Sequence, residues 1–245
     1  MTKKVLVCTA SKGREDYRKA QLNLIKSATN TNNVTRNWYD DYFIRSVDGY
    51  CDNYMGVKIE LGQWPSTLKY GVSWQHADMP YQFKPFAVYE AYELGYTKIL
   101  WCDSTIRILR NPDELWGKCA ELGVLTWDNL GHPLSPYISD YAVEKLGNPD
   151  ISGMKQIMAC CMMFDFKHPK TLPLVEDWIE GSLNNSFHPS TEGSRRDGYK
   201  CNKHDQAYLS ALMYKYDIEI QPYGDLAYPH HTPVKPFFLN WGVND

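Results

Sequence analysis

The 245-residue sequence has no run approaching the roughly 18 apolar residues that a membrane-spanning helix needs. Its first apolar run, Val5 to Ala10, gives way to charge at Lys12 and Arg14. That is too short for a secretory signal and reads instead as a buried first strand. The seven cysteines include no C-x-x-C pair and no Cys/His finger spacing, so neither a disulfide framework nor a structural zinc site is indicated. Cys8 and Cys102 fall in expected strands and Cys160–Cys161 in an apolar run. Buried, reduced thiols are therefore expected, in a reducing compartment such as the cytoplasm. An excess of one charge is missing too. Lys+Arg 26 against Asp+Glu 29 leaves −3, which argues against a chain coated in basic charge for nucleic acid, while a local basic groove stays open. A glycine-rich phosphate loop does not follow the first strand, which weighs against a nucleotidyltransferase.

What is present is a globular composition. Hydrophobic residues at 43% and charged residues at 22% suit a chain that buries most of its apolar surface. The length suits one α/β domain spanning 1–245. Aromatics reach 14%, with 18 Tyr and 8 Trp, side chains that offer a flat apolar face and a polar tip to sugars and bases as well as to cores.

The pattern predicts a strand at Val5–Thr9 and a helix from about Arg14 to Ser27. Short strands and loops follow over Asn37 to Gln75. Lys84-Pro85 opens a helix, since proline is tolerated in a first turn. That helix runs Phe86–Leu94 and stops at Gly95. Strands are expected at Lys98–Cys102, Ile106–Leu109 and Gly123–Trp127. Helices are expected at Tyr137–Leu146, Leu174–Gly181 and Asp205–Tyr216. Ile157 to Phe166 is sized for a central strand, and Ile218–Ile220 for a short one. Between Gly181 and Lys200 lies a polar loop carrying Arg195, Arg196 and Asp197, either a lid or a surface insertion. Strands alternating with helices indicate an α/β layer fold: a mixed, mostly parallel sheet flanked by helices.

In an open α/β sheet, ligands sit at the carboxyl ends of strands. Asp103 stands there, after the buried run Ile-Leu-Trp-Cys. By position alone it is a turn-former or a metal or ribose ligand. Asp165 is a second strand-end carboxylate. Asp205 is a helix cap or a catalytic carboxylate.

The stretch Lys84-Pro85-Phe86, continued by Leu94-Gly95-Tyr96-Thr97-Lys98-Ile99-Leu100-Trp101-Cys102-Asp103-Ser104, resembles the core of GT-A glycosyltransferases. There, a helix begun by a basic residue leads through such a strand into a metal-binding DxD motif. Three later pieces resemble family 8, the glycogenin and galactinol synthase-like enzymes. Ile157–Asp165 is similar to their acceptor-side strand. His204-Asp205-Gln206-Ala207-Tyr208-Leu209 is similar to their Asp-Gln-x-x-Leu helix start. His230-His231-Thr232-Pro233-Val234-Lys235-Pro236-Phe237 is similar to their closing His-x-x-Gly-x-x-Lys-Pro-Trp. The pieces keep the family order across residues 84–238. The chain departs in having Thr105 where DxD has its second acid, and Phe237 for the Trp. His230 and His231 stand five and four residues before Lys235 rather than six, and Asn-Ser-Gly is absent from Met158-Ala159-Cys160-Cys161.

The resemblance implies a Rossmann-like GT-A domain acting as a metal-dependent glycosyltransferase. It would move a hexose or pentose from a nucleotide sugar, a UDP-sugar first, to a hydroxyl acceptor on a glycan, lipid-linked carrier, protein or nucleic-acid base. The departing diphosphate needs a cation to take up its charge. Mn²⁺, or Mg²⁺, would be held by Asp103, Thr105 and His230 or His231. Thr9, Ala10, Ser11 and Arg14 would meet the nucleoside, and Lys84, Asp103, Ser104 and Lys235 the ribose and phosphates. Asp205 and Asp165 would be the catalytic carboxylates. Each basic residue also has a plain reading, as a solvated lysine or a histidine on a proline-rich turn. Two other functions stay in view: a transferase acting on nucleic-acid bases, and a non-catalytic nucleotide-sugar or glycan-binding protein on the same scaffold.

Overall fold

The computed structural model describes residues 4–10, 15–31, 34–35, 41–46, 60–63, 80–188, 196–231 and 235–243. Ser11, Arg14 and Arg195 lie outside the described residues, and of Thr9 and Ala10 only the backbone is described.

The strands are β1 (Lys4–Ala10), β2 (Asn30–Thr31), β3 (Val34–Thr35), β4 (Asp41–Ser46), β5 (Glu60–Gln63), β6 (Lys98–Cys102), β7 (Ile106–Ile108), β8 (Val124–Leu125), β9 (Asp128–Pro133), β10 (Lys155–Ile157), β11 (Cys161–Asp165), β12 (Leu226–Ala227) and β13 (Phe238–Asn240). The α-helices are α1 (Glu15–Thr29), α2 (Phe83–Glu93), α3 (Trp116–Leu122), α4 (Asp140–Lys145), α5 (Thr171–Leu183) and α6 (His204–Lys215). The main sheet has the order β5-β4-β1-β6-β11-β8. Pairs β4–β5, β1–β4 and β1–β6 are parallel, whereas β11 runs antiparallel to both β6 and β8. A three-stranded sheet, β12-β13-β7, folds the tail back against the strand that follows Asp103.

The sheet is sandwiched because its strands are apolar on both faces. Val5, Val7, Ile99, Trp101, Met162 and Phe164 point to one side, into a core shared with Ala87 and Ala91 of α2, Trp178 of α5 and Leu209 of α6. Leu6, Cys8, Leu100, Cys102, Cys161 and Met163 point to the other, against Leu24 and Ile25 of α1 and Trp116 of α3. The two-residue alternation sends neighbours to opposite faces.

Local signals account for the helix ends. Glu15 and Asp16 in the first turn of α1 and Lys26 in its last complement the helix dipole. Ser139 caps α4 by accepting from the Ala142 N–H. Gly95 (φ +91) closes α2, with Tyr96 N–H bonded back to Ala91.

The run from Ile157 to Phe166 is not one strand. β10 ends at Ile157, a turn occupies Met158–Cys160, and β11 begins at Cys161. The turn carbonyls are drawn into bonds elsewhere: Cys160 accepts from Asp103 N–H at 2.7 Å and Ala159 from Lys84 Nζ at 3.2 Å. Ile218–Ile220 is likewise no strand. Only an isolated parallel bridge, Trp127 to Gln221, forms there. Helix α4 starts at Asp140, not Tyr137, because Ser135–Tyr137 forms its own 3₁₀ turn.

Candidate active site

The site stands at the carboxyl end of β6. Trp101 is fully buried, and its indole Nε1 donates to Asp103 Oδ1 at 3.0 Å, which fixes the carboxylate at the strand tip. Lys84, in the first turn of α2, is 4% exposed. Its Nζ lies 3.1 Å from Asp103 Oδ1, 3.3 Å from Asp103 Oδ2 and 3.2 Å from Asp205 Oδ2. The ammonium also donates to the Ala159 carbonyl. One buried ammonium thus joins strand β6, the turn before β11 and the start of α6. Its hydrogen bonds go to Asp103 Oδ2 and the Ala159 carbonyl, while the buried Asp205 Oδ2 at 3.2 Å is an ion-pair neighbour without a hydrogen-bond partner of its own.

Burial works to lower the Lys84 pKa, but Asp103 and then Asp205 outweigh it, and the ammonium is held above the usual lysine range. For Asp205, 2% exposed, burial raises the carboxyl pKa and Lys84 offsets this in part. Two carboxylates and one ammonium carry a formal charge of +1 − 2 = −1. Asp103 is the open member, its side chain 29% exposed.

Strained backbone flanks the triad. Tyr81 (φ +58) and His204 (φ +49) are non-glycine residues in the left-handed region, and their rings approach to 5.8 Å. Each such residue costs roughly 1–3 kcal/mol and persists where its surroundings fix it. The Tyr81 ring lies over Lys84 Nζ at 4.8 Å, a cation–π contact. Burial raises the Tyr81 hydroxyl pKa against the pull of Lys84. His204 is anchored through Nδ1 to the Phe187 carbonyl at 2.7 Å. Beside Asp205, Gln206 Nε2 donates to Gln156 Oε1 at 2.9 Å.

The residues singled out in the sequence divide. Lys84, Asp103 and Asp205 come together. Ser104 is buried in the loop, and the Thr105 carbonyl accepts from Trp241 N–H at 3.0 Å. Thr9 and Ala10 end β1, which pairs with β6 in register Val7 to Trp101, so their backbone runs out along the same sheet edge. Asp165 is not brought to the other carboxylates. It pairs with Lys98 across β11 and β6, and the antiparallel direction puts it at the opposite edge from Asp103. There Lys167 N–H donates to its carboxylate at 3.0 Å, and Lys98 Nζ stands 3.7 Å away. Lys235 (φ +65) is exposed, its carbonyl accepting from Arg110 at 3.1 Å. His230 and His231 sit on an exposed 3₁₀ turn, rings 4.6 Å apart. The tail does reach the Asp103 side. Burial, then Cys160, Tyr223 and Asp103, raise the Tyr228 pKa.

The donor set does not form the metal site that the resemblance implies. A hard divalent cation needs several oxygen ligands. Asp103 offers one carboxylate, already shared with Lys84 and Trp101, and Thr105 brings no second acid. Among the described residues no three His, Cys, Asp or Glu side chains converge.

Trp101, Tyr81 and the Ala159 carbonyl escape a reading by sequence. The first reads as core, the second stands outside any motif, and the third is backbone.

No protein-family model matches the chain, and comparison with curated proteins finds no match. The arrangement of strands and helices is that of the GT-A glycosyltransferases. Mouse xyloside xylosyltransferase 1 in its apo form aligns over 98% of this chain and 97% of its own, with TM-score 0.57 and 8% identity. The bifunctional glycosyltransferase WbbM aligns over 98% of this chain and 46% of its own, with TM-score 0.55 and 11% identity. The chain therefore has a GT-A glycosyltransferase fold.

Proposed function

We propose that the chain is a glycosyltransferase that moves a sugar from a nucleoside-diphosphate sugar, a UDP-sugar first, to a hydroxyl acceptor. The observation that carries this reading is the Lys84–Asp103–Asp205 triad at the sheet edge where this fold class binds ligands.

The chemistry follows from its charge. Glycosyl transfer passes through a transition state with positive charge at the sugar ring. A preorganised group with net charge −1, shielded from water on all sides but Asp103, stabilises such a charge. The same negative charge repels phosphate oxygens. Asp103 therefore suits hydroxyls of the donor sugar or ribose, which donate to a carboxylate. Lys84 is buried and bonded to Asp103 and the Ala159 carbonyl, so it positions Asp103 instead of touching phosphate. Asp205 lies behind it and acts through Lys84. The diphosphate falls to exposed cations of the tail, Lys235 first. Mn²⁺ or Mg²⁺ would find a place here only if Asp103 exchanged Lys84 for the cation.

Calorimetric titration with UDP, GDP, CDP and ADP, each in Mn²⁺ and in EDTA, tests the reading. Uptake of one diphosphate is the expected result. Uptake only in Mn²⁺ means that Asp103 makes that exchange, and uptake of none in either buffer removes the proposal.

A further inference from the structure

The two carboxylates expected to act in catalysis are both unsuited to take a proton from an acceptor hydroxyl. Asp205 is buried against Lys84, and Asp165 lies at the opposite sheet edge. Beside Asp205 stands a side chain that the triad does not use. His204 opens α6, half-buried, with its backbone in the left-handed region at φ +49. No side chain caps α6, and the strained residue is the one that bears the imidazole. Strain of this kind persists where the surroundings fix it, and it gathers at functional positions.

The ring has a fixed tautomer. Nδ1 lies 2.7 Å from the Phe187 carbonyl oxygen. A carbonyl only accepts, so Nδ1 carries the hydrogen and the neutral ring keeps its lone pair on Nε2. Among the described residues no hydrogen bond engages that nitrogen. The anchor is itself held: Phe187 is fully buried, and Asn202 Nδ2 donates to the Ser186 and His188 carbonyls on either side of it at 2.9 Å each. The Tyr81 ring, 5.8 Å from the His204 ring, lies over Lys84 Nζ at 4.8 Å, and Lys84 Nζ is 3.1 Å from Asp103. The imidazole therefore stands at the rim of the triad, one aromatic ring away from the ammonium that holds Asp103.

We infer that His204 Nε2 is the base that takes the proton of the acceptor hydroxyl. This rests on the transferase reading. The acceptor oxygen bonds to the anomeric carbon, the bond from that carbon to the diphosphate oxygen breaks, and its electron pair leaves with the diphosphate. The hydroxyl proton passes to the Nε2 lone pair and afterwards to solvent. The positive charge that develops on the ring stands beside the triad's net −1, with Asp205 as the next residue. The charged and titratable groups around the ring are Lys203 and Asp205 at the start of α6, Tyr81 and Lys84 at the start of α2, and His188 after Phe187.

Water serves as the acceptor in the test. Diphosphate release from UDP-glucose, UDP-xylose and GDP-mannose is followed from about pH 5 to pH 8, the range in which histidine changes charge. His204→Asn is the decisive variant. Asparagine tolerates positive φ and its Nδ2 can donate to the Phe187 carbonyl in place of Nδ1, while nothing replaces Nε2. The variant should bind diphosphate within about twofold of wild type in the calorimeter, yet turn the donor over roughly a hundredfold more slowly and without the acid-side fall of the wild-type rate. A rate close to wild type, or an acid-side fall that persists and so belongs to Asp205, overturns the assignment. A parallel loss of diphosphate affinity marks a structural role and overturns it too. Wild type that turns over none of the three donors removes the transferase reading and this inference with it.

Discussion

Replacing Lys84 by methionine tests the triad directly. Methionine keeps much of the aliphatic stem and deletes the charge, so Asp103 and Asp205 then face each other without their ammonium. Asp103 can turn partly to water, but Asp205 cannot, being 2% exposed. Breaking a buried ion pair from one side costs about 3–5 kcal/mol. At this chain length that lowers the melting temperature by roughly 6–20 °C. The loss should depend on pH, and the sign follows from the two groups. The Lys84 pKa is raised in the fold, so its stabilisation is present below about 10.4 and fades only above that, outside the neutral range. Burial raises the Asp205 pKa, so the fold holds that proton to higher pH than the unfolded chain does. Stability therefore falls as pH climbs from about 4 through the raised value. Without Lys84 to offset burial, Asp205 rises further and this fall extends. Urea unfolding at pH 5 and pH 8 should show the larger loss at pH 8, and Lys84→Met/Asp205→Asn should recover more than half of it. An equal loss at both pH values, or one below about 1 kcal/mol, would refute the account of a charged, buried triad.

Asp103→Ala leaves Lys84 paired with Asp205, one charge against one. It should melt within a few degrees of wild type while losing transfer activity by more than a hundredfold, measured as product released from a UDP-sugar. Asp165→Asn, altered at the far sheet edge, should keep its diphosphate affinity within twofold in the same titration. Gly123→Ala should destabilise by about 1–3 kcal/mol in urea, since φ is +84 there and a Cβ would sit 2.5 Å from the His168 ring. Among the described cysteines, Cys201 is exposed, while Cys8, Cys102, Cys119 and Cys161 are buried. Ellman's reagent should therefore label Cys201 promptly in the native protein and those four only after unfolding.

The middle of the chain was legible because its signals are local. Gly95 after an apolar helix, a five-residue buried strand and an acid at its tip follow one another without interruption, and the fold keeps them as read. The direction of β11 was not legible. An apolar run fits a parallel or an antiparallel strand equally well, since both faces are buried either way. That direction decides whether Asp165 or Cys160 lies beside Asp103, so one bit of topology moved a carboxylate out of the site.

Lys84 shows a second limit. A basic residue next to a proline at a helix start reads as a cation awaiting phosphate, and the carboxylates that claim it lie 19 and 121 positions away in sequence, at Asp103 and Asp205. No spacing rule joins three residues from two helices and a strand. What the sequence does carry is the missing acid at Thr105. With a single carboxylate in the motif, the excess negative charge at the strand tip comes from Asp205, and Lys84 is what allows two buried or half-buried carboxylates to stand that close.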